Sequence, residues 1–143
     1  MTKIKGLTDL PSIFGIQKQI YFVKQMKKKG CWGCVDPRKR AQTIRLRFEL
    51  LTLNGQYRCY QDLVESGAIP KDARLEDIPL WVGLHEIAHC VYRQDDTIPE
   101  LPDGEIEKWC DEWANDNFQV AKWEAWSVPY VFSERVGIGY SQS

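Results

Sequence analysis

Two histidines are all that this chain has, and they stand four residues apart. The segment His85-Glu86-Ile87-Ala88-His89 reads H-E-x-x-H. On a helix this spacing puts both imidazoles on one face, a turn apart, where each can offer a nitrogen to a single Zn²⁺. Glu86, beside the first histidine, is placed to act as general base on a water molecule at that ion. Bound zinc lowers the pKa of water from about 15.7 towards ~7, so the chemistry to expect is hydrolysis of a peptide bond. The competing explanation is a pair of core or surface histidines that hold no metal.

A zinc site of this kind needs a third protein ligand and one open position. With no third histidine, the long H-E-x-x-H-x-x-G-x-x-H arrangement is excluded, and the ligand must be a carboxylate or a thiolate. Downstream stand Glu105, Glu107, Cys110, Asp111 and Glu112. Trp109 and Trp113 lie four apart, as do Ile106 and Cys110, which gives this segment an apolar helical face with Glu107 at its margin. Asp111 follows Glu107 by one turn. It is both a rival ligand and a candidate to accept a hydrogen bond from a ligating histidine and so fix its tautomer.

Glu107-Lys-Trp-Cys-Asp-Glu-Trp-Ala114 fits the pattern E-x-x-[A/C]-[D/N]-x-[F/W]-A, and with H-E-x-x-H upstream the chain resembles the ImmA/IrrE-like zinc metallopeptidases. The resemblance covers roughly residues 42–126. It implies a zincin-like fold, one zinc per chain, and Glu107 as third ligand, eighteen residues beyond His89. It also implies narrow specificity for a regulatory protein, such as a transcriptional regulator, in a phage or mobile-element setting. Cys110 and Trp113 stand where Ala and Phe are usual. The run ending in Met-Pro is absent, and no helix-turn-helix module accompanies the site. SprT-like zincins are a weaker second resemblance. Related enzymes add a donor to the oxyanion, for which Tyr92, Tyr130 and Arg135 are the candidates.

Cys31-Trp-Gly-Cys34 is a C-x-x-C pair. It could hold a second metal with Cys59, form a redox disulfide, or carry plain thiols, although a fourth zinc ligand is not evident. Cys90 and Cys110 fall in helical segments and are expected to be small core residues. Nucleobase deaminases use H-x-E followed by P-C-x-x-C, an order that this chain does not have.

These groups need elements to position them. A helix is expected from Asp77–Pro79 to about Arg93, flanked by Trp81, Val82, Leu84 and Val91, and a second from Asp103 to about Trp126. Pro11, the stripe Phe14, Ile16, Ile20, Tyr21 and Val23, and a terminal Gly30 suggest a helix over 11–29. Residues 31–40 read as a loop. Ile44, Leu46, Phe48 and Leu50 alternate with polar residues, as in a half-buried strand over 43–50. Asn54-Gly55 suggests a hairpin with 56–60, followed by a polar stretch with a short helix near Asp62–Ser66. The tail, 128–143, is expected to be extended or irregular. The fold class is therefore α+β: one domain over 1–143, with a small sheet packed by an N-terminal helix, the H-E-x-x-H helix and the ligand-bearing helix.

Length and composition agree. The chain has 143 residues, 43% hydrophobic and 27% charged, which argues against disorder and fibrous classes. No apolar run approaches the ~18 residues of a membrane span, and the N-terminus lacks a signal-peptide core, so a cytoplasmic setting is expected. The net charge of −1 hides a division: residues 1–58 carry 13 Lys and Arg against 3 Asp and Glu (+10), and residues 59–143 carry 6 against 17 (−11). Such halves either attract each other within one fold or present a basic surface, including Lys27–Lys29 and Arg38–Arg40, to nucleic acid or an acidic partner. A non-catalytic, zinc-pinned interaction protein is the alternative function that follows from the second case.

Overall fold

The computed structural model describes residues 3–4, 6–26, 30–70 and 73–124, together with the backbone of 130–132 and 139–141. A short helix α1 (Leu10–Ile13) precedes strand β1 (Gln19–Val23), β2 (Gly33–Val35) and β3 (Thr43–Arg47). Helix α2 (Leu53–Glu65) follows a 3₁₀ turn over Phe48–Leu51. The long helices α3 (Ile78–Gln94) and α4 (Asp103–Glu124) come next, and the short strands β4 (Tyr130–Phe132) and β5 (Gly139–Ser141) pair antiparallel. The chain is thus mixed α and β.

The three-stranded sheet has the order β1-β3-β2, with β1 parallel and β2 antiparallel to β3. Strand alternation sorts its residues cleanly. Ile20, Phe22, Ile44 and Leu46 are fully buried on one face, while Tyr21, Val23, Arg45 and Arg47 lie on the other. The buried face packs on α3, whose residues Ile78–Leu84 are almost all buried, and α3 in turn packs along α4. Phe22 and Trp81 are the largest side chains of this core.

The expected helix over 11–29 is instead α1 and β1. Gly15 adopts φ +75, a left-handed conformation that ends the helix after one turn. Beyond it, Ile20 and Phe22 are buried and Tyr21 and Val23 half-buried, a period of two rather than 3.6. Lys27–Lys29 lie outside the described residues. The strand expected over 43–50 stops at Arg47, where the chain tightens into the 3₁₀ turn. The hairpin expected at Asn54-Gly55 is the first turn of α2, because the Thr52 side chain accepts a hydrogen bond from the Gly55 amide as an N-cap. The helix near Asp62–Ser66 is the end of α2. The loop expected over 31–40 contains β2. Asp77 stands at the N-cap position of α3 without a side-chain cap bond; Lys122 Nζ donates to it at 3.2 Å instead.

Candidate metal centre

Helix α3 carries both histidines because its 3.6-residue period places Trp81, His85 and His89 one above another. The His85 and His89 rings lie 5.0 Å apart between centroids, edge to face. Trp81 stacks on His85 at 5.6 Å. Its indole N–H donates to Asn115 Oδ1 at 2.8 Å, and Asn115 Nδ2 donates to the Ala68 carbonyl at 2.9 Å. A continuous chain of contacts thus runs from the α2–α3 connection through α4 to the first imidazole. Sequence reasoning assigned no such role to Trp81 or Asn115. The available signal was Trp81 standing one turn before His85.

Helix α4 brings the carboxylates across. Glu107 Oε2 lies 2.9 Å from His85 Nε2 and 3.2 Å from His89 Nε2. Asp111, one turn on, places Oδ1 2.8 Å from His85 Nδ1. That contact is not aligned as a hydrogen bond, and His85 Nδ1 has no aligned partner among the described residues. The two carboxylates therefore address different atoms: Glu107 faces the nitrogens that both imidazoles turn inward, and Asp111 backs the other nitrogen of His85. Glu86 is buried beside them, and ligand atoms of His85, Glu86 and His89 lie within 4.8 Å of one another.

The electrostatics follow from this crowding. Burial opposes a charge on His85, but the carboxylates of Asp111, Glu107 and Glu86 outweigh it and raise its pKa to about 10. Burial and the neighbouring His85 charge push His89 down. The hydrogen bond to His85 draws Glu107 down to about 2, against the opposing effect of its partial burial. In the metal-free protein these contacts favour the protonated form of His85. Two imidazole nitrogens and one carboxylate oxygen converging on one point form the donor set that Zn²⁺ takes, so these residues fit the ion. Binding it would require His85 to release its proton.

The donors open into a cleft of about 360 Å³. One wall is β2 with its approach, Cys31–Val35; the other is α2 and the Ala68 turn; the floor is α3. Gly33 touches the site directly. A Cβ placed there would lie 2.9 Å from Glu86 Cγ and 2.9 Å from Leu46 Cδ2, so the strand can pass this close only as glycine. Nothing in the sequence alone indicated that contact.

Other candidates lie elsewhere. The Tyr92 hydroxyl donates to the Pro99 carbonyl and accepts from the Leu101 amide, so it braces the α3–α4 connection, and Tyr92 is not among the residues lining the cleft. Arg135 and the Tyr130 side chain lie outside the described residues. Cys31 and Cys34 line the cleft half-exposed, and no cysteine is in a disulfide. Among the described residues no third ligand joins them in a metal-holding group. Cys59, Cys90 and Cys110 are buried, and desolvation pushes the thiols of Cys59 and Cys90 up to about 12 and that of Cys110 further.

No helix among the described residues is long and apolar enough to cross a membrane. Comparison with protein-family models, with curated proteins and with solved structures finds no match for this chain.

Proposed function

We propose that this chain is a zinc-dependent metallopeptidase of zincin type, with one Zn²⁺ held by His85, His89 and Glu107. The observation that carries the proposal is the convergence of both histidine Nε2 atoms on Glu107 Oε2, with the Glu86 carboxylate buried alongside. When bound, the ion supplies Lewis-acid activation of water and of a substrate carbonyl.

The protein's own residues do the rest. Glu86 takes the proton of the attacking water and returns it to the leaving amine. The Gly33 backbone passes close against the Glu86 side chain, which limits its freedom before reaction. Asp111 and Trp81 hold the His85 ring from two sides, so its Nε2 keeps facing inward. Strand β2 is an edge of its sheet and forms a cleft wall, which suits an extended peptide lying beside it. The resemblance to ImmA/IrrE-like enzymes adds the expectation of a specific regulatory protein as substrate, acting in the cytoplasm.

The test pairs metal content with cleavage. Mass spectrometry on protein purified without chelator should find about one zinc per chain. Glu107→Ala should lower it at least tenfold at limiting metal. Glu86→Gln should keep the zinc and lose hydrolysis of a peptide library by at least a hundredfold. Zinc-free wild type that added zinc does not stabilise, or unchanged hydrolysis in Glu86→Gln, would overturn the proposal.

A further inference from the structure

The charge division described above has a structural outcome. Every ion pair among the described residues stays within one half of the chain. The three acids of the basic half are taken up locally: Asp36 by Arg38, Glu49 by Arg47 and Arg58, and Asp9 by the Gln19 amide. Among the described residues, these pairs thus leave several cations of the basic half without an acidic partner from the other half.

Two of the remaining cations, Arg45 and Lys3, stand on the outer face of the β1-β3-β2 sheet, and Lys24 lies just past its edge. Arg45 is exposed at its centre, and the register sets it opposite Tyr21 on one side and Cys34 on the other. Lys3 reaches over the Tyr21 ring at 5.7 Å, and Lys24 lies beyond the end of β1, 5.9 Å from the Phe48 ring. At the opposite end of the strands, Tyr21 joins a groove lined by Gln17, Lys18, Gln19, Gln42 and Thr43. Lys18 Nζ donates to the Arg38 and Ala41 carbonyls, and the other side chains are rich in amides, which donate and accept hydrogen bonds.

Cations with no ion pair among the described residues, a half-exposed aromatic ring and an amide-rich groove beside it match what a single nucleic-acid strand offers: phosphates, stackable base faces and polar base edges. We propose that this sheet face binds single-stranded nucleic acid, with phosphates on Lys3, Lys24 and Arg45 and a base stacked on Tyr21. An acidic peptide would use the cations but leave the ring and the amide groove without a role. The surface meets the candidate metal cleft only at β2, where Cys34 neighbours Arg45 in register and also lines the cleft.

The test is fluorescence anisotropy of a labelled oligothymidylate of about 16 nucleotides with the full chain. Binding should weaken as salt rises, linearly in the logarithms, as counterion release requires. Arg45→Glu should weaken it about tenfold, whereas Lys108→Glu on α4, the same change of charge in the acidic half, should leave it within about twofold. Tyr21→Ala should cost about tenfold, and Tyr21→Phe, which keeps the ring, should restore binding. The proposal is overturned if the oligonucleotide fails to bind at low salt, if the two arginine and lysine variants behave alike, or if Tyr21→Ala binds like wild type. It is also overturned if polyglutamate displaces the strand at equal charge concentration. Each readout is independent of metal and of hydrolysis.

Discussion

The two sides of the candidate metal cleft are built in opposite ways. One side is α3 against α4, helices of 17 and 22 residues. Their facing residues are buried, and Trp81, Asn115 and the Ala68 carbonyl link them by hydrogen bonds. The other is β2, three half-exposed residues tied to β3 by a short ladder and by Arg47, whose Nε donates to the Cys31 carbonyl. Stiffness is thus placed where donor atoms must keep a fixed mutual position. The thinner wall stands where a bound chain would need to slide in beside it. Positional tolerance of a few tenths of an ångström is useful on the second side and harmful on the first.

Breaking the helical side should cost most. Trp81→Ala removes a side chain that is 2% exposed and leaves the Asn115 carbonyl oxygen without its donor. Denaturant unfolding should show a loss of about 3–5 kcal/mol, with weaker metal retention in whatever remains folded. If the loss is under about 1 kcal/mol, the helical side is not the stiff one.

The strand side should answer differently. Gly33→Ala introduces a methyl group into contact with Glu86 and Leu46. The expected cost is about 1–3 kcal/mol, with zinc content kept and hydrolysis reduced, because Glu86 and not a histidine is displaced. Loss of zinc in this variant would mean that β2 supports the donors directly, and the contrast between the walls would fail.

The smallest effect is that of pH on the metal-free protein. His85 is raised from 6.5 to about 10, so its pairing stabilises the fold fully below pH 6.5 and is lost as the pH rises through about 10. Glu107 is lowered from 4.5 to about 2, so its contribution is present above pH 4.5 and lost as the pH falls through about 2. Urea midpoints with chelator should therefore be highest between these limits and fall on either side. With zinc the alkaline decline attributable to His85 should vanish, since a ligating imidazole is already deprotonated. An unchanged alkaline limb with zinc would mean that His85 does not ligate.

The helical side was largely legible in the sequence and the strand side was not. The periodicity of 78–94 and 103–124 is long, and His85 and His89 declare themselves through a spacing that one helix satisfies, whereas the choice of Glu107 over Asp111 rested on the resemblance. In β1, Ile16, Ile20 and Val23 fit a helical stripe as well as Ile20 and Phe22 fit an alternating one, and a short apolar run cannot decide between them. What decides is parallel pairing of Ile20 with Ile44, a partner beyond any local window. The same holds for Asn54-Gly55, where the Thr52 cap overrides a turn signal, and for Gly33, whose requirement exists only once β2 meets α3. The bonds of the Tyr92 hydroxyl to the α3–α4 connection were likewise not legible locally.

The distribution of the cysteines makes the molecule its own clock. Cys31 and Cys34 sit half-exposed in the cleft wall, while Cys59, Cys90 and Cys110 are sealed in the core. A thiol-labelling reagent should modify the first two within its ordinary reaction time and the other three only at the rate at which the fold opens. One labelling trace followed by mass would then report two events: early label shielded by anything that fills the cleft, and late label timing the opening of the core.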